Sequence, residues 1–517
     1  MQDGDNISEI KIEDQTIIEN TELNIWEALI PVFALVGMLA YNIYVYGDGA
    51  LSGSNQFILL LGAAVAAIVG YKNKVPHKRM IAEVAENVKS TTGAILILLM
   101  VGALAGTWLI SGIIPTMIYY GLQILNPTIF LAASVIICSI ISIATGSSWT
   151  TSATVGIALI GIGETLGISV GMTAGAVLSG AYFGDKLSPL SDTTNLAPAM
   201  AGGELFSHIK YMTLTTVPTI VITLLIFIII GLNLDTTGTP VIQDKLDAMD
   251  AAFNISPWLF IVPAFVIFLI VKKKPPLIAL LLGALLGGAV AIIAQPDIVK
   301  DVVATYMISL DDTDSLVKSE VLESLAYNFK TMYTGVMNAL TVDIAVETSS
   351  AELNELFTAG GMKGMLGTIW LIICAMVFGG VMDAIGALSR ITKSLLKMAH
   401  STFGLFASTV ASCLALNLTA SDQYLAIVVP GKMFKQAYED RGLAPENLSR
   451  TLEDSGTVTS VLIPWNTCGA YHSKVLFGYA GATAYIPYAF FSILSPFMTL
   501  LFAAFSIKIK QLKSNNK

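Results

Sequence analysis

Apolar runs separated by short polar segments fill most of the 517-residue chain. A helix needs about 20 predominantly apolar residues to cross a hydrocarbon core roughly 30 Å thick. The pattern predicts apolar helices at 25–46, 57–71, 94–108, 110–125, 157–168, 170–181, 214–232, 257–271, 275–294, 365–384, 403–416, 424–429, 458–463 and 486–507, with a further run beginning near residue 129. We therefore predict an all-α polytopic membrane protein with about 10–12 transmembrane segments, some of them broken or re-entrant.

The same pattern divides the chain into two membrane repeats. We predict an acidic cytoplasmic tail (1–24), a first transmembrane repeat (25–232), a polar linker (233–256), a second transmembrane repeat (257–507) that contains an acidic external loop (295–364), and a basic cytoplasmic tail (508–517). Lys and Arg concentrate in short segments such as 72–79, which the positive-inside rule places in the cytoplasm. These assignments predict a multi-pass protein of the cell membrane with both termini cytoplasmic.

Short motifs recur between the two halves in the same order. GTWLISG (106–112) resembles GVMDAIG (380–386), GSSWT (146–150) resembles TASDQ (419–423), and GDKLSPLSDTTN from Gly184 aligns with EDSGTVTSVLIP from Glu453. The nearly constant offset indicates a duplication. A basic segment follows the second span of the first half, whereas an acidic loop holds the corresponding place in the second half. We therefore predict inverted repeats, a design of secondary transporters in which broken helices meet near the membrane midplane.

Composition narrows the classes of function. The net charge of −9 argues against a nucleic acid partner, and the acidic residues gather in the N-terminal tail and the 295–364 loop. The chain contains no phosphate-binding GxxxxGK[ST] loop, no His/Cys spacing typical of a metal site and no recognisable nucleophile–base pair. We expect no enzymatic activity and no cofactor, so an ion gradient would have to supply the energy for transport.

A polar interruption at 180–198, GAYFGDKLSPLSDTTNLAP, carries most of the candidate chemistry. Pro189 and Pro198 each remove a backbone donor and oppose an uninterrupted helix. Carboxylates at membrane depth are costly and mark an ion or substrate pathway. We predict that Asp185 and Asp192 bind cations or protons there, with neutral oxygens from Ser188, Thr193 and Asn195. Lys186 could instead have a purely structural role as the counter-ion of Asp185.

A second interruption, TGSSWTTSAT (145–154), is rich in hydroxyls. Thr145, Ser147, Ser148 and Thr150 could bind a dehydrated Na⁺ beside unwound backbone carbonyls. Small hydroxylated residues also let membrane helices pack closely, and that explanation stays open. In the second half, the corresponding candidates for ion or substrate binding are Asn417, Ser421, Asp422, Asp454 and Thr457. We predict Na⁺ at Asp185, Asp192 and Asp422, with Asp422 or Asp454 sharing the proton exchange.

TGSSWTTSATVGIALIGIGETLGI and SGAYFGDKLSPLSDTTNLAPAMAG resemble the NhaC family of sodium/proton antiporters, within the ion-transporter superfamily. TASDQ and LEDSGTVTSVLIPWNTCGAY extend the resemblance into the second half. The resemblance implies exchange of cytoplasmic Na⁺ for external H⁺ by alternating access, in a homodimer. It extends to antiporters of the malate/lactate type, so a small carboxylate remains an alternative cargo, with Lys186 and the half-helix N-termini as its binding groups. A channel is a third, less favoured alternative.

Overall fold

The computed structural model describes residues 23–46, 53–124, 127–234, 239–272, 274–309, 318–477 and 483–512. The described chain is almost entirely helical, which confirms the predicted fold class. The helices of the first half are α1 Ile25–Tyr46, α2 Ser54–Lys72, α3 His77–Ser90, α4 Thr92–Ile110, α5 Ile113–Ile124, α6 Pro127–Thr145, α7 Ser148–Thr151, α8 Ile157–Thr165, α9 Val170–Leu187, α10 Asp192–Ala201 and α11 Leu205–Leu232. Most of the predicted acidic tail lies outside the described residues.

The second half follows the linker helix α12 Thr239–Ala252. Its elements are α13 Ile261–Val271, α14 Pro276–Ala294, α15 Pro296–Ser309, α16 Lys318–Ser324, α17 Phe329–Thr341, β1 Ile344–Ala345, α18 Ala351–Leu356, β2 Thr358–Ala359, α19 Leu366–Ala384, α20 Ala387–Leu396, α21 Thr402–Thr419, α22 Gln423–Asp440, α23 Pro445–Leu452, α24 Thr467–Phe477 and α25 Phe490–Ala504. The 295–364 segment, predicted as a loop, is therefore largely folded into α15–α18 and the antiparallel β1–β2 pair.

Seven described helices are long and apolar enough to cross a membrane, and the number rises to nine if two bent pairs each count as one span. The bent pairs are α4 with α5, at 70°, and α12 with the segment 257–270, at 84°. Sequence patterning predicts about 10–12 segments because it also includes the pieces around the two polar interruptions. There the chain forms shorter helices, such as α8, α10 and α23, that do not span a membrane on their own.

Helix positions recur between the halves. Six helices of the first half begin 274 or 275 positions before a helix of the second half: α4 and α19, α5 and α20, α6 and α21, α7 and α22, α9 and α23, α10 and α24. The packing is reciprocal, because α2 packs on α19 while α14 packs on α4. This recurrence supports a duplication, and the opposite orientation of the halves in the membrane stays a prediction. The offset of 275 between the helix starts pairs Gly184 with Thr459, whereas the sequence motifs align Gly184 with Glu453.

Close packing of α9 on α6 fixes the position of the first polar interruption. A Cβ at Gly180 would lie 2.2 Å from the Val135 carbonyl oxygen, and one at Gly184 would lie 2.5 Å from that of Ser139. Only glycine permits this approach. The Oγ of Ser142 donates to the Ala181 carbonyl at 2.6 Å and ties the two helices together. The C-terminal end of α9 is thereby held beside the point where α6 ends.

Candidate functional site

The helix α6 ends at a sharp break in the hydroxyl-rich segment. Gly146 adopts a left-handed conformation (φ +70°), and a Cβ there would lie 2.5 Å from Leu190 Cβ. Ser147 then caps α7, its Oγ accepting a hydrogen bond from the Thr150 N–H at 3.1 Å. The single turn of α7 continues as a π-helix over Ser152–Gly156, a form that often occurs at functional sites.

Asp185 reaches this break from the last turn of α9. Both the N–H and the Oγ–H of Ser148 donate to Asp185 Oδ2, at 3.1 and 2.7 Å. The other carboxylate oxygen, Oδ1, is buried and has no hydrogen-bond partner among the described residues. Buried carboxylate oxygens normally have a partner, so this atom is free to bind a cation or a proton.

The second break lies between α21 and α22. Ser421 is left-handed (φ +60°), which is unusual for a residue other than glycine. Asp422 follows as the N-cap of α22, and its Oδ1 accepts the N–H groups of Tyr424 and Leu425 at 2.8 and 3.1 Å. Asp422 therefore satisfies the N-terminus of its own helix, unlike Asp185, which satisfies that of another helix.

Asp192 lies between the two breaks as the first residue of α10. Helix α9 ends at Leu187, so Asp185 and Asp192 belong to different helices, as Pro189 predicted. The hydroxyl of Tyr424 donates to Asp192 Oδ2. Asp192 is within electrostatic range of both Asp185 and Asp422. The side chain of Asp192 is exposed, whereas the other two are buried.

The three carboxylates share one region without converging on one point. In the described part of the chain, no three Asp, Glu, His or Cys side chains are grouped closely enough to hold a metal ion. A cation bound here would therefore take fewer than three carboxylates and complete its coordination with neutral oxygens.

Most of the predicted neutral ligands are engaged in local hydrogen bonds. The Oγ of Ser188 donates to the Ile143 carbonyl at 2.8 Å, and the amide of Asn195 donates to the carbonyls of Pro189 and Ser191. The Thr193 hydroxyl pairs with that of Ser191, Thr150 with Ser147, and Thr145 with Thr151. Asn417 donates to the Gly456 carbonyl and to Thr459. By contrast, the hydroxyls of Ser421 and Thr457 are buried and lack a hydrogen-bond partner among the described residues.

Lys186 does not neutralise its neighbour Asp185. It forms an ion pair with Asp454, in which both side chains are almost fully buried. Asp454 also accepts hydrogen bonds from Thr215, at 2.9 Å, and from Thr499. The counter-ion interpretation of the Asp185–Lys186 pair is thus incorrect, because adjacent helical residues point in different directions. Asp454, with three donors, is an anchor between the two halves.

Tyr424 and Arg450 of this region were missed by sequence reasoning, and no local signal identifies them, whereas Glu453 begins the motif EDSGTVTSVLIP but was not among the predicted binding residues. Tyr424 contacts Asp192 from a helix that begins 231 positions later. Glu453 is fully buried, with no hydrogen bond to either carboxylate oxygen from a described residue. Arg450 is also fully buried and lies over the ring of Tyr211, 4.6 Å from its centroid. Asp383, a carboxylate within the apolar helix α19, lies near Glu83 and Arg79 of α3.

Comparisons with known proteins identify the family of this chain. The family model described as the Na⁺/H⁺ antiporter family matches residues 180–321 and 322–507. The Na⁺/H⁺ antiporter NhaC of Alkalihalophilus pseudofirmus is 36% identical over 451 residues, covering 87% of this chain and 90% of that protein. The chain belongs to the NhaC family of Na⁺/H⁺ antiporters. The resemblance predicted from the two interruptions is confirmed.

Other relatives of this NhaC-family chain are named for different cargo. A malate-2H⁺/Na⁺-lactate antiporter of Bacillus subtilis is 34% identical over 458 residues, covering 88% of each chain. An arginine/ornithine antiporter, ArcD, of Halobacterium salinarum is 31% identical over 481 residues, covering 92% of this chain and 90% of that protein. All three are antiporters by name.

Proposed function

We propose that this protein is a secondary active transporter that exchanges Na⁺ for H⁺ by alternating access. The observation that carries the proposal is the unpartnered Oδ1 of Asp185, buried beside the first helix break. A carboxylate in such a place must bind either a proton or a cation, because an isolated buried charge is too costly. Competition between the two for one carboxylate is the simplest chemistry of coupled exchange.

The arrangement suggests separate roles for the carboxylates. Asp192 and Asn195 lie on an exposed face of α10, and a carboxylate at membrane depth faces water rather than lipid. We assign Asp192 to the mouth of an aqueous passage and Asp185 to the buried end of it. Asp422 stays bound to its own helix N-terminus and holds the second break in shape. Asp185, held by Ser148 of another helix and close to Ser191, is the carboxylate that can exchange its partner without unwinding a helix.

We place the protein in the cell membrane with both termini cytoplasmic. Basic residues such as Lys72, Lys272 and Lys510 follow or precede the ends of apolar helices, as the positive-inside rule requires of a cytoplasmic surface. In this orientation the proton gradient drives Na⁺ export. We expect a homodimer, and the two repeats 25–232 and 257–507 to enter the lipid bilayer from opposite sides.

Purified protein in liposomes tests the exchange directly. A pH-sensitive dye is trapped inside, a pH gradient is imposed, and Na⁺ is added outside, with K⁺ as the control cation. Proton movement on addition of Na⁺ alone supports the antiporter. Proton movement that is equal with K⁺, or absent with every cation, contradicts it.

Arg450 favours a second candidate, a Na⁺-coupled exchanger of small organic anions. Its three guanidinium nitrogens are buried and donate no hydrogen bond to any described residue, and guanidinium groups bind carboxylates well. Lys186, considered earlier for this role, is already paired with Asp454. The same liposomes receive Na⁺ with malate or with lactate. Proton movement that requires the organic acid would place this candidate first.

A further inference from the structure

We propose that Glu453 and Asp185 together form a buried cation site between the two halves, with Thr457 as a neutral ligand. Glu453 begins the motif EDSGTVTSVLIP, but neither the predicted binding residues nor the relatives' names assign it a ligand. The inference rests on the proposed Na⁺/H⁺ exchange and names a further residue that binds the exchanged ion.

Glu453 is a buried carboxylate without an ion-pair partner among the described residues. Its side chain is completely buried, and neither Oε1 nor Oε2 has a hydrogen-bond partner there. It begins the π-helix Glu453–Thr457, where the wider backbone turn separates its direction from that of Asp454. Asp454 points to Lys186, Thr215 and Thr499, whereas Glu453 is left without any of these donors.

Unsatisfied oxygens surround the space next to Glu453. Asp185 is within electrostatic range of the Glu453 carboxylate, and its buried Oδ1 is unpartnered. Thr457, one turn along the same helix, lies beside that carboxylate and offers it a hydroxyl. Two carboxylates and a hydroxyl are hard oxygen ligands of the kind that small cations prefer.

The local charge balance requires a positive partner. The charged or titratable groups near Glu453 are Asp185, Lys186, Asp454, the thiol of Cys413 and Arg450, which lies one helical turn back. Lys186 and Asp454 compensate each other as an ion pair, and the guanidinium of Arg450 lies over the ring of Tyr211. The negative charges of Asp185 and Glu453 therefore exceed the one positive charge left nearby, and a bound cation or proton removes the cost of that excess. The site therefore binds Na⁺ and protons in competition.

The binding of Na⁺ to purified protein in detergent tests this site without relying on transport. Thermal unfolding is followed at increasing NaCl, with choline chloride keeping the ionic strength constant. We expect Na⁺ to stabilise the wild-type protein, and Glu453→Gln to raise the Na⁺ concentration for half of that effect by at least about tenfold. Glu446→Gln is the matched control on the neighbouring helix α23, because Glu446 pairs with Lys510 and Ser207 at its far end.

Two outcomes overturn the inference. A Glu453→Gln protein with the Na⁺ dependence of the wild type removes Glu453 from the site, and so does an equal shift in the Glu446→Gln control. If Glu453→Gln fails to fold, Glu453→Asp replaces it, since its carboxylate is one methylene farther from Asp185 and should still weaken Na⁺ binding.

The liposome assay separates this inference from the proposed function. Wild-type protein that exchanges Na⁺ for H⁺, together with a Glu453→Gln protein of unchanged Na⁺ dependence, overturns the Glu453 site alone. Wild-type protein that moves no protons with Na⁺, yet loses Na⁺ stabilisation in Glu453→Gln, overturns the exchange and supports the cation site.

Discussion

The two helix breaks, before α7 and before α22, satisfy a buried helix N-terminus in different ways. Each exposes the N-terminus of a new helix in the interior, and each satisfies it with an aspartate. At the second break the aspartate is the N-cap of its own helix, so Asp422 binds Tyr424 and Leu425 through local geometry. At the first break Ser147 is the N-cap of α7, and the aspartate belongs to a different helix: Asp185 of α9 accepts the N–H of Ser148.

The origin of the aspartate, from the same helix or from another one, indicates which break can move. Asp422 loses its hydrogen bonds only if α22 unwinds, whereas Asp185 loses its bonds whenever α9 shifts relative to α7. Helix α9 is also tied to the second half through Lys186 and Asp454. A movement of the halves relative to each other would therefore be transmitted to the first break, and the second break would be a rigid reference. Alternating access needs such a pairing of a movable and a fixed element.

The largest effect on stability is expected from Lys186→Met. This change leaves Asp454 buried without a cation, which costs about 3–5 kcal/mol of unfolding free energy. The double variant Lys186→Met/Asp454→Asn should recover most of that loss, because both charges are gone. Thermal unfolding of the purified proteins measures both. A single variant as stable as the wild type would show that the ion pair does not hold α9 to the second half.

Gly146→Ala and Ser421→Gly compare the left-handed residues of the two breaks. A Cβ at Gly146 would collide with Leu190, so we expect a loss of about 1–3 kcal/mol. Ser421→Gly relieves a positive φ but makes the unfolded chain more flexible, so its net effect should lie within about 0.5 kcal/mol. Unfolding midpoints of the two proteins check the order, and the reverse order would contradict the geometry of the breaks.

Two substitutions at one position separate the N-cap role of Asp422 from its charge. Asp422→Ala removes the capping oxygen and should cost about 1 kcal/mol of stability. Asp422→Asn keeps a good N-cap and should retain nearly wild-type thermal stability. If both variants are destabilised equally, the charge rather than the cap of Asp422 holds the second break.

Local patterns identified the breaks but not the contacts between them. Apolar runs predicted α1 at its observed bounds, and Pro189 correctly predicted that Asp185 and Asp192 occupy separate helices. The sequence predicted an apolar helix over 170–181, yet α9 continues to Leu187 because glycines at 180 and 184 let it pack on α6. Composition does not distinguish a helical polar stretch from a loop when tertiary packing decides.

The pairings that define the candidate site join distant positions. Lys186 and Asp454 are 268 residues apart, and Tyr424 and Asp192 are 232 apart. Neither pair can be predicted from the spacing of residues along the chain. The motif alignment also paired Gly184 with Glu453, whereas the helix positions pair Gly184 with Thr459, six residues later. The 295–364 segment shows a further limit, because its acidic composition indicated an external loop while amphipathic stretches within it form α15 and α17.

The most direct test compares Asp185→Asn with Asp422→Asn in the same liposome preparation. Both changes remove one negative charge and keep a side chain of nearly the same shape. We predict that Asp185→Asn abolishes Na⁺-driven proton movement, while Asp422→Asn retains a measurable part of it. Proton movement that persists in Asp185→Asn and disappears in Asp422→Asn would contradict the account, because it would place the exchanging carboxylate at the second break.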